Sequence, residues 1–273
     1  MAADPPLDAV VVVVRHRCAR VVVEAPAPVV AALAADLAPR TAIERVGPGR
    51  ARRAGASLRL HPGTGWNLTV DGATVHTAPP DALDRAQERL ASEVHLALAT
   101  HAPHQVFVHG GSVAWRGRAI VAPGPSRAGK STLVRALVAR GAALLSDEYA
   151  VFDRTGLVEP YARTVHVRRP EGAARIDPHR LGPVAGAPHP LGAVVDTAYV
   201  PGARWSPASG RSARSVVPLV ANAVAAQVAP VRVLDHLTAA VARRPLLLTG
   251  PRGAADEAAE SILALLDREC GGA

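Results

Sequence analysis

The chain has 273 residues, of which 49% are hydrophobic and 20% are charged. This length and composition allow one large buried core or two smaller ones, and they exclude a chain that is disordered throughout. The net charge of +8 would suit acidic or phosphorylated partners, but the arginines are scattered without interleaved aromatic residues, so we expect no nucleic-acid partner.

The first hundred residues predict a small α+β domain. Short runs typical of strands occupy residues 9–14, 21–24, 58–60, 66–70 and 74–76, the last two joined by an Asp71-Gly72 turn. A helical pattern covers residues 29–37, and Asp81 can cap a longer helix whose apolar positions recur from Leu83 to Leu98. We therefore place an N-terminal domain of unknown role at residues 1–100 and a second domain at residues 101–273.

The second domain mixes strands with helices, which predicts an α/β fold. Strands are expected at residues 106–108, 112–115, 119–122, 142–145, 149–152, 157–159, 164–167, 193–197 and 246–249. Helices are expected at residues 131–140, 216–228, 234–242 and 254–266. The proline- and glycine-rich stretch at residues 170–190 is predicted to be a mobile loop.

The cysteines and the apolar runs point to the cytoplasm. Cys18 and Cys270 are too few for a disulfide framework and lack metal-ligand spacing, which fits a reducing compartment. The valine run at residues 10–14 is too short to span a bilayer, and no basic region of a signal peptide precedes it. We expect a cytoplasmic protein that has no membrane partner.

The single lysine of the chain lies in a phosphate-binding motif. Of the 31 lysine and arginine residues only Lys130 is a lysine, and it stands in the segment GPSRAGKS at residues 124–131. This segment matches the P-loop pattern, and a strand before it and a helix after it are both predicted. An ammonium on a thin stem can reach between the β- and γ-phosphates, where a planar guanidinium would be too bulky. The motif therefore predicts nucleotide binding.

The motif assigns roles to its residues. Lys130 is expected to reach the β- and γ-phosphates of ATP, and the hydroxyl of Ser131 is expected to bind Mg²⁺. Gly124 and Gly129 are expected where a Cβ would obstruct the backbone. The cofactor-binding cradle is expected to comprise Gly124, Ser126, Arg127, Ala128, Gly129, Lys130, Ser131 and Thr132.

Two acidic residues follow the next predicted strand. Asp147 and Glu148 stand at its carboxyl end, where ligands bind in α/β sheets. Adjacent side chains on an extended backbone point to opposite sides, so the two carboxylates are expected to do different work. One can hold the metal and the other can accept a proton from an attacking hydroxyl, while an ordinary acidic turn is the alternative.

His109 follows a strand and precedes two glycines, so its ring can project into a site, although a lone histidine more often has a structural role. A functional role for His109 is favoured because residues 106–153 resemble the catalytic domain of HPr kinase/phosphorylase. That family has a His-Gly pair 21 residues before the P-loop lysine, as at His109, and an acidic pair 17 and 18 residues after it, as at Asp147 and Glu148.

The resemblance implies both a fold and a set of roles. It implies a P-loop kinase domain with a mixed sheet, of the kind shared with phosphoenolpyruvate carboxykinase. It also implies that His109 and Lys130 are active-site residues and that Ser131 and Asp147 serve magnesium. Glu148 would be the base that deprotonates the substrate hydroxyl.

The chain departs from the family at two points. The family usually has Asp-Asp where this chain has Asp147 and Glu148, and its Glu-Ile-Arg-Gly segment has no convincing counterpart, so no phosphorylase activity is predicted. A second magnesium ligand and a phosphate-handling arginine are therefore unassigned. Candidates for the arginine are Arg163, Arg168 and Arg211.

Two functions compete. The first is an ATP- and Mg²⁺-dependent kinase that transfers the γ-phosphoryl group to a hydroxyl, with serine expected, on a protein, a peptide or a small molecule. The alternative is an ATP-binding regulatory protein in which nucleotide orders the loop at residues 170–190 and the N-terminal domain binds a partner. The paired carboxylates favour the kinase and the missing downstream motif favours the regulator, while a homo-oligomer is compatible with both. An ATPase motor fits less well, because its metal-binding aspartate usually lies farther along the chain.

Overall fold

The structure is a computed structural model that describes residues 9–37, 41–46, 54–126, 128–169 and 172–270, without the side chains of residues 166–169, 172, 173, 269 and 270. The chain divides into two compact units, Met1–Pro103 and His104–Ala273. Each unit combines strands and helices, and each has a mixed sheet, so the predicted mixed α/β class is confirmed. None of the helices in these described ranges has both the length and the apolarity to cross a bilayer.

The first unit is a six-stranded sheet with two helices. Its elements are β1 (Ala9–His16), β2 (Ala19–Pro26), α1 (Ala27–Asp36), β3 (Thr41–Arg45), β4 (Ala56–Pro62), β5 (Trp66–Val70), β6 (Ala73–Ala78) and α2 (Leu83–His101). In space the strands run in the order β3, β1, β2, β4, β5, β6, and only β2 and β4 are parallel neighbours. The apolar face of α2, with Leu90, Val94 and Leu98, is buried against this sheet, as its helical spacing predicts.

The second unit is built on a larger sheet. Its elements are β7 (Gln105–Trp115), β8 (Arg118–Pro123), α3 (Lys130–Ala139), β9 (Ala143–Ser146), β10 (Tyr149–Asp153), β11 (Leu157–Glu159), β12 (Val165–Arg169), β13 (Gly172–Ile176), β14 (His189–Tyr199), β15 (Ala208–Arg211), α4 (Val216–Ala221), α5 (Pro230–Val241), β16 (Leu246–Arg252) and α6 (Ala255–Cys270). The central strands β8, β14 and β16 are parallel, while β7, β10 and β15 pair antiparallel with their neighbours. The strands β12 and β13 form a separate two-stranded sheet.

Helices cover both faces of the larger sheet. One core joins α3 and α6 to the sheet through residues such as Leu137, Ile262 and Leu248. The other core joins α4 and α5 to the opposite face, with Leu237 packed in the same cluster as Val194. Because the central parallel strands are buried on both faces, their sequences are continuous apolar runs rather than alternating ones.

Several predicted elements differ from the structure. The two strands expected at residues 106–108 and 112–115 form the single strand β7, because the intervening glycines keep an extended conformation. The loop expected at residues 170–190 is wrong for Gly172–Ile176, which form β13, for Pro178–Arg180, which form a short 3-10 helix, and for residues 189–190, which begin β14. The helix expected at residues 216–228 ends at Ala221, because the chain then turns to bond β7, where Val224 donates to the carbonyl of Phe107 at 2.9 Å.

Candidate functional site

The loop after β8 leads directly into helix α3. The amide of Gly124 donates to the carbonyl of His109 at 3.0 Å, which ties the start of the loop to β7. Gly124 and Gly129 have φ values of 151° and 83°, a region that side chains with a Cβ rarely adopt. Gly129 immediately precedes α3, so Lys130 and Ser131 are the first residues of the helix.

The amides at the start of α3 donate to no backbone carbonyl of the described residues. Within the part of the chain that the structure describes, the N–H groups of Gly129, Lys130, Ser131 and Thr132 have no backbone acceptor. The first N–H groups of a helix carry partial positive charge and are a ready site for an anion. These amides are therefore placed where phosphate oxygens can bind.

The remaining predicted members of the cradle differ from one another. The amide of Ala128 donates to the carbonyl of Pro125 at 3.3 Å, so it stabilises the loop internally. Ser126 is exposed at the tip of the loop, and Arg127 lies outside the described residues.

The ammonium of Lys130 lies over its own loop. Its Nζ donates to the carbonyl of Pro125 at 2.6 Å. Burial lowers the pKa of Lys130, and the negative charge of Asp147 partly offsets this effect. Lys130 and Asp147 are thus electrostatic neighbours although 17 residues separate them in the sequence.

The two acidic residues occupy a break between successive strands. Ser146 ends β9 opposite Ser112, and Tyr149 begins β10 opposite His109, so β9 and β10 follow each other along the same edge of β7. Asp147 and Glu148 lie between these two strands and level with the glycines at residues 110–111 of β7. The predicted opposite orientation of the acids assumed an extended backbone, and the bend at this point removes that assumption.

The phosphate loop flanks the same part of β7 from the other edge. Gly110 pairs with Pro123, the last residue of β8 before the loop. A Cβ at Gly111 would lie 2.3 Å from the Cγ2 of Val134, so the missing side chain lets α3 pack directly against the strand. The loop and the acids are therefore brought to opposite sides of residues 109–111.

The turn that carries the acids is held by one buried hydroxyl. Ser146 is completely buried, and its Oγ accepts hydrogen bonds from the amides of Glu148 at 3.4 Å and Tyr149 at 3.2 Å. These bonds satisfy two amides at the point where the strand pairing is interrupted. The Ser146 hydroxyl therefore holds the backbone that carries the acidic pair.

Glu148 has a buried arginine as its ion-pair partner. Glu148 forms an ion pair with Arg163, whose side chain is 8% exposed, against 39% for Glu148. Arg163 is one of the three candidate arginines, and it contacts Glu148, the predicted base. The second candidate, Arg211, lies opposite Leu246 at the start of β16 and therefore at the far end of that strand from the loop. The side chain of the third, Arg168, lies outside the described residues.

His109 packs against the ring of Tyr149. Their ring centroids are 4.9 Å apart, and the histidine is half-buried. Burial and the nearby charge of Lys130 both lower the pKa of His109. The imidazole is therefore held neutral at neutral pH, where it can donate or accept a hydrogen bond.

Sequence reasoning missed Arg252. This arginine ends β16, is 1% exposed, and donates from Nη2 to the carbonyl of Gly129 at 2.6 Å. The predicted strand ends at residue 249, before Gly250 and Pro251, a dipeptide that usually marks a turn. The strand instead continues through both residues, paired with β14, and this continuation brings Arg252 to the loop.

Comparison with known proteins shows a distant likeness of fold. No protein-family model matches the chain, and no curated protein matches it. Among solved structures, the HPr(Ser) kinase/phosphatase from Coxiella burnetii is similar, with 14% sequence identity and a TM-score of 0.38 over 61% of this chain and 99% of that chain. At this level of similarity we assign no residue role from it.

The oxygen ligands near the loop fit magnesium bound together with a nucleotide. In the described ranges, no group of three or more His, Cys, Asp or Glu residues could hold a metal ion alone. Magnesium at nucleotide sites needs only one or two protein ligands, because phosphate oxygens and water complete its octahedron. The hydroxyl of Ser131 and the carboxylate of Asp147 are ligands of the hard oxygen type that Mg²⁺ prefers.

The lowered pKa of His109 predicts a pH dependence of stability. The neutral side chain of His109 should contribute fully to the free energy of unfolding above pH 6.5, the ordinary pKa of histidine. That contribution should be lost as the pH falls through the lower pKa of the folded state. The unfolded chain takes up a proton in that window before the folded protein does. Urea unfolding between about pH 8 and pH 5 should therefore show a smaller loss of stability for His109→Asn than for the wild type.

The comparison must be made between these two proteins, because burial also lowers the pKa of His236. That second histidine contributes equally to both curves. Identical pH dependence in the wild type and in His109→Asn would contradict the lowered pKa of His109.

Proposed function

We propose that the second unit is an ATP- and Mg²⁺-dependent kinase that transfers the γ-phosphoryl group to a hydroxyl of a protein, a peptide or a small molecule. One observation carries the proposal: the phosphate loop and a pair of carboxylates flank the same three residues, 109–111, of one strand. Nucleotide binding alone requires the loop and Lys130. Transfer to a hydroxyl also requires a base, and Glu148, the carboxylate that forms an ion pair with Arg163, can supply it.

The loop and Lys130 supply binding and positioning. The amides at the start of α3 would hold the β- and γ-phosphate oxygens, and the ammonium would leave the carbonyl of Pro125 for the phosphates. Magnesium, held by Ser131 and Asp147, would supply neutralisation of the phosphate charge. His109, whose pKa is lowered by burial and by the nearby charge of Lys130, adds a neutral hydrogen-bonding group near that ammonium.

Glu148 supplies the base. The acceptor hydroxyl gives its proton to the carboxylate while its oxygen forms a bond to the γ-phosphorus, and the bond from that phosphorus to the β–γ bridging oxygen breaks. ADP leaves with the bonding electrons, and the proton on Glu148 then passes to water. Arg163 holds the carboxylate in one orientation through the ion pair between them.

Removal of Arg163 should therefore affect turnover more than binding. In Arg163→Met we expect kcat to fall about 10-fold, because Glu148 loses the group that orients it, while the KM for ATP stays within about twofold. Steady-state kinetics with Arg154→Met as the matched control test this, since Arg154 is exposed on the turn after β10. An unchanged kcat in Arg163→Met would mean that the ion pair does not orient the base.

Transfer itself is tested with γ-labelled ATP and Mg²⁺ in a cell extract. The wild type should label an acceptor, which mass spectrometry can then identify, and Lys130→Met should label none. Release of free phosphate without a labelled acceptor would contradict the kinase and support the regulatory ATP-binding alternative.

A further inference from the structure

Arg252 is a buried cation without a carboxylate partner. Its side chain is 1% exposed, and no aspartate or glutamate of the described residues forms an ion pair with it. Burial also lowers the pKa of Arg252. Buried charges in proteins are normally paired, because desolvation of an ion is costly. An unpaired buried guanidinium therefore indicates a compensating contact or ligand.

The guanidinium is held in one place by three neighbours. Its Nη2 donates to the carbonyl of Gly129 at 2.6 Å, and its Nη1 donates to the carbonyl of Gly253 at 3.3 Å. It also lies 5.8 Å from the centroid of the Tyr199 ring, which stands opposite it on β14. Its Nε has no hydrogen-bond partner within the described part of the chain.

The contact with Gly129 is at the entrance of α3. The same carbonyl accepts the amide of Leu133 at 3.1 Å, which is the first hydrogen bond of the helix. The guanidinium thus lies at the positive end of the helix dipole and one residue from Lys130. The buried guanidinium and the helix N-terminus both carry positive charge beside the phosphate loop, and a polyphosphate is the anion whose charge and oxygens match them.

Gly129 and Arg252 fit each other closely. A Cβ on Gly129 would lie 2.3 Å from Nη2 of Arg252, so the arginine fills the space that the glycine leaves. Gly129 also has a φ of 83°, and the hydrogen bond to its carbonyl holds the peptide in that orientation. The orientation of this peptide sets the direction of the amides that follow it at the start of α3.

We propose that Arg252 is a positioning residue for the phosphate loop: it holds the Gly129 carbonyl so that the amides of α3 and the ammonium of Lys130 face a bound polyphosphate, whose charge in turn compensates the buried guanidinium. This inference rests on the proposed function for the identity of the ligand as a nucleoside triphosphate. The contact between Arg252 and the loop exists independently of transfer.

The inference predicts weaker ATP binding when the guanidinium is removed. In Arg252→Met we expect the Kd for ATP to rise about 10- to 100-fold, the range expected for lost hydrogen bonds from a charged donor. Arg252→Lys keeps the charge without the planar fork and should recover only part of the affinity. Free guanidinium ion added to Arg252→Ala should restore part of the binding, a rescue that a purely structural role would not give. Arg204→Met, at an exposed arginine, is the matched control.

Two measurements together test whether Arg252 positions the phosphate loop. Calorimetric titration with ATP and Mg²⁺ gives the Kd, and hydrogen exchange without nucleotide reports on residues 124–133 against residues 118–123 of β8. We expect faster exchange in the loop segment of Arg252→Met and of Arg252→Lys, with β8 unchanged. Thermal unfolding of each variant identifies any that fails to fold, and Arg252→Lys then takes the place of Arg252→Met.

The outcomes separate this inference from the proposed function. If the wild type binds ATP but transfers no phosphate, while the Arg252 variants show both effects, the inference stands and the kinase proposal fails. If the wild type binds no ATP, faster loop exchange in the variants still supports the positioning contact, and the proposed function fails. If the wild type binds ATP, a variant that keeps wild-type affinity or wild-type loop exchange overturns the inference.

Discussion

Lys130→Met should lower the affinity for ATP by about 100-fold or more and abolish turnover, because its ammonium is the cation expected to reach between the β- and γ-phosphates. Methionine matches the length and apolar character of the stem, so the substitution removes charge with little change in packing. Burial already lowers the pKa of Lys130, and the variant should therefore be no less stable than the wild type when nucleotide is absent. Calorimetric titration with ATP and Mg²⁺ gives the affinity, and thermal unfolding gives the stability.

Lys130→Arg is the matched control for this prediction. It preserves the positive charge in a chain whose other fixed cations are all arginines. A guanidinium is wider than an ammonium and forms planar paired hydrogen bonds, so it should not restore binding under the loop. Wild-type affinity in Lys130→Arg would contradict the geometric reason for the retention of a single lysine.

Glu148→Gln should lower kcat by about 100- to 10,000-fold and leave the Kd for ATP within about twofold, because a general base acts in transfer and not in nucleotide binding. Glutamine keeps the size of the side chain and can still accept a hydrogen bond from Arg163, so the fold of the turn should survive. Single-turnover transfer from labelled ATP measures the first quantity, and calorimetry measures the second.

Two further variants make this result specific. Asp147→Asn should raise the magnesium concentration required for activity, since Asp147 is proposed to serve the metal rather than the proton. Glu260→Gln, at an exposed acid on α6, should change neither quantity. Normal transfer by Glu148→Gln would show that the base is another group.

The phosphate loop could be predicted from the sequence, because a local pattern of residues determines it. An apolar run, two glycines and a lysine placed the loop between a strand and a helix, and the structure has β8 and α3 at those positions. The approach of the acids to the loop could be expected from their place at a strand end and from the resemblance, but it depends on β9 and β10 pairing in succession with β7. That register is a tertiary property, which no local period of hydrophobicity encodes.

The missed features are tertiary for the same reason. The ion pair between Arg163 and Glu148 joins the acidic turn to the segment that follows β11. The chain has 30 arginines, and no local pattern shows which of them pairs with Glu148. Arg252 was hidden by a Gly-Pro dipeptide that usually ends a strand but continues one here, beside β14. The short strand β3, with alternating exposed positions, has too few apolar residues to stand out.

A crystal structure with Mg²⁺ and a non-hydrolysable ATP analogue tests the central claim most directly. Our account predicts the γ-phosphate at the start of α3, within hydrogen-bond distance of the Lys130 ammonium, with the carboxylates of Asp147 and Glu148 on the side of the phosphate away from ADP. A triphosphate bound elsewhere, or one bound to the loop with both carboxylates turned into a separate cavity, would contradict it.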